Sequence, residues 1–108
     1  MKAVTKEMLE TRNEYLVLIS QMTGVPADDI MSRKRTERVT TARHLLIWVL
    51  TSLCGYTTLE TAVLLGRSHS TIVYGREIFV GGGRGKAPTP EMLEFVTKLK
   101  NYHQTRQK

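Results

Sequence analysis

The chain has 108 residues with 16 Lys and Arg against 10 Asp and Glu, a net charge of +6, which suits one domain with a single modest core. Its single cysteine, Cys54, excludes an internal disulfide framework and a cysteine-rich zinc site. The longest apolar run, Leu45 to Leu50, is far too short to cross a bilayer, and no basic-then-apolar signal segment opens the sequence. A cytoplasmic protein is expected.

Met8, Tyr15, Leu16, Ile19 and Met22 recur at helical spacing from about Thr5 to Thr23, and Gly24 followed by Pro26 ends that helix. Pro26 suits the first turn of a short second helix, with Asp28 and Asp29 near its positive end. The polar stretch "SRKRTER", residues 32–38, reads as a loop. Ala42, Leu45, Leu46, Val49, Leu50 and Leu53 then form a full apolar stripe. Ile47 and Trp48 widen it, so this third helix should be covered on several sides before Gly55 stops it. Thr57 with Glu60 forms a capping-box pattern for a short fourth helix ending at Gly66.

Ser68 can cap a fifth helix whose Ile72, Gly75 and Phe79 share a face. Two short helices joined at Gly66 have the sequence form of a helix-turn-helix. "GGGRGKAPTP", residues 81–90, reads as a mobile loop, and Thr89–Pro90 begins a last helix with apolar Met92, Leu93, Val96 and Leu99. No strand pattern or internal repeat is visible. The expected fold is all-α, with five or six helices and a helix-turn-helix. Its expected divisions are residues 1–80, a Gly-rich connector 81–90, and a C-terminal helix with polar tail at 91–108.

The charge is unevenly placed. Residues 1–31 carry three bases and five acids, whereas residues 32–45 carry five bases and one acid, and residues 66–88 four bases and one acid. Two basic segments on a near-neutral body point to a polyanion surface. In a helix-turn-helix the second helix enters the major groove with its N-terminal residues against base edges. Arg67, Ser68, His69, Ser70 and Thr71 would be delivered there, each able to hydrogen-bond a base or a phosphate. The loop bearing Arg33, Lys34, Arg35 and Arg38 can lie along phosphates or enter a minor groove. The plainer reading is that Ser68 and its neighbours only cap a surface helix; the basic loop favours DNA.

Catalytic readings fit poorly. Adjacent Ser68, His69 and Ser70 point in different directions on a helix, and no nucleophile elbow or orienting acid accompanies them. Five residues before Gly85 stands Val80, and Lys86 is followed by Ala87, so the phosphate-loop pattern fails at both ends. His44, His69 and His103 are scattered, with no thiol or acid cluster beside them. No enzyme, cofactor or metal is expected.

The series "DIMSRKRTERVTTARHLLIWVL" followed by "TTLETAVLLGRSHSTIVYG" resembles the C-terminal DNA-binding domain of the bacterial replication initiator DnaA. The likeness runs over roughly residues 12–80 and includes that domain's G-R-D-H-[ST]-T-V signature, matched by Gly66 to Ile72. It implies a Trp-repressor-like helical fold, with Arg35 as the minor-groove arginine beside Arg33, Lys34 and Arg38. It further implies a DNA contact at Arg43, next to His44, and major-groove readers at Ser68, His69, Ser70 and Thr71, with Arg67 alongside. Three features depart from the pattern. Ser68 stands in place of the usual Asp, the turn has one glycine, and Thr61–Ala62 replaces an apolar–glycine pair.

An initiator also needs an ATPase module, which 108 residues cannot hold. Opening on Met1 and closing on the polar "NYHQTRQK", the chain reads either as a small complete protein, of the kind a phage or mobile element can encode, or as a fragment of a longer chain whose remainder does the ATP-dependent work. It would occupy double-stranded DNA at the nucleoid as a roadblock, competitor or regulator of replication or transcription. The alternatives are a dimeric repressor of Trp-repressor type, pairing through the Met92–Leu99 stripe, and an adaptor that binds a replication protein.

Overall fold

The structure is a computed structural model that describes residues 4–78 and 89–106. Helices α1 (Lys6–Thr23) and α2 (Ala27–Met31) precede a central α3 (Glu37–Trp48). The latter runs on as a π-helical segment, Val49–Leu53; α4 (Thr58–Leu65), α5 (His69–Ile78) and α6 (Pro90–Arg106) follow. Every described element is helical, as the periodicity predicts. The expected loop at 32–38 is shorter, because Thr36 caps α3 through its side chain and Glu37 is already helical.

Local chemistry sets most of these boundaries. The Thr5 hydroxyl accepts from the Met8 amide at 3.1 Å to begin α1. Thr57 and Glu60 complete a reciprocal capping box at the start of α4, at 3.0 and 2.9 Å. Thr89 caps α6 by accepting from Met92 at 3.2 Å, with Pro90 as the first helical residue. Pro26 sits one position earlier than expected, as the residue preceding α2 rather than within it. Of the 81–90 connector only its last two residues are described; Phe79, Arg84 and Lys86 lie outside the described residues.

The core forms around α3. Residues 45–50 are all buried, because α3 meets α1, α2 and α5 on successive faces. Trp48 belongs to this core. In the π segment the Cys54 amide reaches back to the Val49 carbonyl at 2.9 Å, one residue beyond α-helical register. The Thr51 hydroxyl donates to the Ile47 carbonyl at 2.8 Å, supplying that carbonyl with a partner through the change of register.

The C-terminal end is more than a polar tail, since α6 continues to Arg106 and docks on α1. Tyr15 and His103 share a buried hydrogen bond of 2.6 Å, and the Tyr102 hydroxyl donates to the Glu14 carboxylate. Arg106 Nε lies 3.0 Å from both Glu14 oxygens, and its Nη2 donates to the Thr11 hydroxyl at 3.2 Å. Glu14 is held below the usual carboxylate range, first by the Tyr102 hydrogen bond. Burial pushes Tyr15 up to about 12, so its hydroxyl stays protonated. The apolar stripe is also rotated from expectation. Val96 and Leu99 are buried within the single chain, whereas Leu93 stays exposed. Of the stripe expected to pair with a second copy, Val96 and Leu99 are thus covered by the chain itself, while Met92 is half-buried and Leu93 exposed.

Candidate nucleic-acid interface

The helix-turn-helix is built by α4, a turn at Gly66–Ser68, and α5. Gly66 ends α4 with φ of 62°, a left-handed conformation that glycine adopts without steric cost. Ser68 then caps α5 as expected, its hydroxyl accepting from the Thr71 amide at 3.3 Å. The same hydroxyl lies 2.9 Å from Thr71 Oγ1 and 3.2 Å from Ser70 Oγ. Ser68, His69 and Ser70 are exposed and Thr71 is half-buried, so this polar tip faces outward.

Gly75 lets α5 approach α3 closely. A Cβ there would lie 2.7 Å from Ile47 Cδ1 and 3.2 Å from His44 Cδ2. Ile72 is fully buried on the same face. Thr61 is fully buried at the departure from the apolar–glycine pair, and its hydroxyl oxygen finds no hydrogen-bond partner among the described residues.

The basic loop is joined to this tip through its backbone. Arg67, in the turn, donates to the Ser32 carbonyl and, at 3.4 Å, to the Met31 carbonyl. From beneath, Arg43 donates through Nε to the Ile30 carbonyl at 2.9 Å. Its Nη2 reaches the carbonyls of Ser32 at 2.7 Å, Lys34 at 3.1 Å and Asp29 at 3.3 Å. The loop and the start of α5 therefore lie on the same side of the molecule. Burial first, and the neighbouring Arg67 charge second, push the Arg43 pKa down. No carboxylate hydrogen-bonds either guanidinium among the described residues.

The basic residues divide by role. Arg33 and Arg35 are exposed and make no hydrogen bond or ion pair with another described residue. Lys34 pairs with Asp29 at 3.2 Å, and Arg38 donates to the Thr23 carbonyl at 3.0 Å, closing the end of α1. Arg43 is 8 % exposed and directed into the protein, so the structure gives it the support of the loop rather than the surface contact the resemblance implies.

His44 is likewise turned inward, its ring 5.7 Å from Tyr74 in an edge-on contact at the α3–α5 interface. Burial, then the Arg43 charge, lowers its pKa from 6.5 to about 4. The unfolded chain therefore takes up this proton more readily than the folded one. The stability contributed is fully present above about pH 6.5 and drains away as pH falls toward about 4. Because the ring keeps some solvent contact, the expected loss is about 1–2 kcal/mol, less than the full shift implies. Denaturant midpoints measured from pH 7 to pH 4 should fall less steeply for His44→Gln than for the native chain. Parallel slopes would reject the assignment.

Two further residues hold the helix-turn-helix together from behind the interface and have no strong signal in the sequence. Arg12 of α1 donates to the Leu64 carbonyl at 2.6 Å, closing the end of α4. Thr58, the first residue of α4, shares a hydrogen bond of 2.6 Å with His69 Nε2. The absence of a basic residue in the last turn of α4 is the only hint of the first. The second joins residues from two helices and depends on the angle between them.

A bihelical turn whose second helix offers an exposed polar tip beside a basic loop defines a helix-turn-helix DNA-binding domain. The model of the bacterial dnaA protein helix-turn-helix family matches residues 16–78, more than half of the chain, and the chain belongs to that family. A search among curated proteins found no match, and a search among solved structures found none either. The domain binds double-stranded DNA and is, as a module, non-catalytic. Among the described residues no cluster of His, Cys, Asp or Glu could hold a metal ion, and no helix is long and apolar enough to cross a membrane.

Proposed function

We propose that the protein recognises a specific sequence in double-stranded DNA and regulates replication or transcription by occupying its site. The reading rests above all on the Arg67–Ser32 hydrogen bond, which joins the basic loop to the start of α5. A duplex that receives α5 in its major groove then meets Arg33 and Arg35 beside it, over the sugar–phosphate backbone and the adjoining minor groove. Ser68, His69, Ser70 and Thr71 supply discrimination, while Arg33, Lys34, Arg35, Arg38 and Arg67 supply most of the affinity. Arg43 and His44 act from behind this surface. A phosphate near Arg67 would also relieve the repulsion between it and Arg43.

Selection from a random duplex pool, followed by sequencing, should return one enriched motif. His69→Ala should then narrow the difference between selected and random duplex by roughly 1–3 kcal/mol, the worth of a good base contact. Arg35→Ala should remove preference for an AT-rich flank and leave the motif's core unchanged. Failure to bind any duplex at low salt, together with capture of a protein partner, would replace this reading with the adaptor.

A further inference from the structure

Thr58 heads α4, where the neighbouring Thr57 already caps the helix, so its own hydroxyl is not needed for that task. It lies instead 2.6 Å from Nε2 of His69, the first residue of α5. This hydrogen bond spans the helix-turn-helix from the start of one helix to the start of the next. No described residue hydrogen-bonds Nδ1 of the same ring. In a neutral imidazole one nitrogen donates and the other accepts, and a threonine hydroxyl can do either. When Thr58 donates to Nε2, Nδ1 carries the proton and can donate to guanine O6 or N7, or to thymine O4. When Nε2–H donates to Thr58, Nδ1 accepts and suits the amino group of cytosine or adenine.

We propose that Thr58 is a positioning residue for base recognition: it anchors His69 by Nε2 so that Nδ1 is the nitrogen presented to the base. This rests on the DNA-binding reading above and assigns a specificity role to a residue that itself need not touch a base. The hydroxyl, by rotating, lets the ring take the polarity the base demands while its plane stays fixed. An unanchored ring would offer either nitrogen in many orientations and discriminate less.

The test compares Thr58→Val, which keeps shape and loses the hydroxyl, with Thr58→Ser, which keeps the hydroxyl. Imidazole nitrogen and carbon NMR resonances of the free full chain are recorded, then affinities for selected and random duplexes. Thr58→Val should move the His69 resonances to those of a solvated ring and lower the selected-to-random affinity ratio about 2- to 13-fold, as expected for one hydrogen bond. Random-duplex affinity should stay unchanged, and Thr58→Ser should behave as the native chain in both measurements. Unchanged His69 resonances in Thr58→Val would overturn the proposal. So would an equal loss on selected and random duplexes, or a Thr58→Ser that behaves as Thr58→Val. The resonances decide the anchoring without DNA, so a chain that binds no duplex defeats the functional reading separately.

Discussion

Arg43→Ala should destabilise the protein by about 2–4 kcal/mol, far more than any exposed arginine of the same basic segment. The side chain is 8 % exposed, and its guanidinium serves the carbonyls of Asp29, Ile30, Ser32 and Lys34. Those carbonyls belong to the end of α2 and the loop after it, where the chain leaves helical hydrogen bonding. Removing the guanidinium strands partly buried acceptors and releases the loop's backbone. Arg43→Lys should restore only part of the loss, because an ammonium cannot reproduce the planar fork. Denaturant unfolding provides the comparison, with Arg35→Ala expected within about 0.5 kcal/mol of the native chain. Amide exchange across residues 32–36 should quicken in Arg43→Ala alone. Equal stability of the two variants would show that the carbonyl contacts contribute nothing net. DNA affinity should fall in both, through loop disorder in one and a missing contact in the other.

The second large effect concerns salt. Five cations stand on the loop, the first turn of α3 and the turn before α5, on the side proposed to face the duplex: Arg33, Lys34, Arg35, Arg38 and Arg67. If each neutralises a phosphate, log affinity should fall against log salt with a slope of about −4 to −5. Between about 50 and 200 mM salt that amounts to a roughly 500-fold loss of binding. Arg33→Ala combined with Arg35→Ala should flatten the slope by about 2, because neither side chain has a partner to release. Lys34 and Arg38 must first leave Asp29 and the Thr23 carbonyl, both weak exposed contacts. Fluorescence anisotropy on one duplex across a salt series measures the slope. A slope near zero would remove the electrostatic half of the proposed function, and an unchanged slope in the double variant would place the phosphate contacts elsewhere.

Much of the architecture is legible in the chain because it follows from short-range chemistry. Thr57 with Glu60, Gly66, Ser68 and Thr89–Pro90 each act within one helical turn, and each marks a boundary that the structure reproduces. The stripe from Ala42 to Leu50 shows a buried helix without reference to what buries it. The π-helical register of Val49–Leu53 is not visible in that stripe, because a single extra residue in a turn hardly alters the spacing of apolar side chains. At the C-terminal end, composition misleads. The polar "NYHQTRQK" contains Tyr102, His103 and Arg106, which dock on Glu14, Tyr15 and Thr11 from the far end of the chain.

By itself the sequence determined the order of the helices, the caps of α4, α5 and α6, the helix-turn-helix and the presence of a basic loop before the central helix. Tertiary structure alone decided which arginines face outward and which hold the fold. Arg33 and Arg35 are left to solvent, while Arg12, Arg38, Arg43 and Arg67 reach carbonyls at the ends of helices or in the loop. The physical reason is distance along the chain. A cap is satisfied by a residue three positions away, whereas a guanidinium finds its carbonyl 9 to 52 residues away, once packing has brought the helices together.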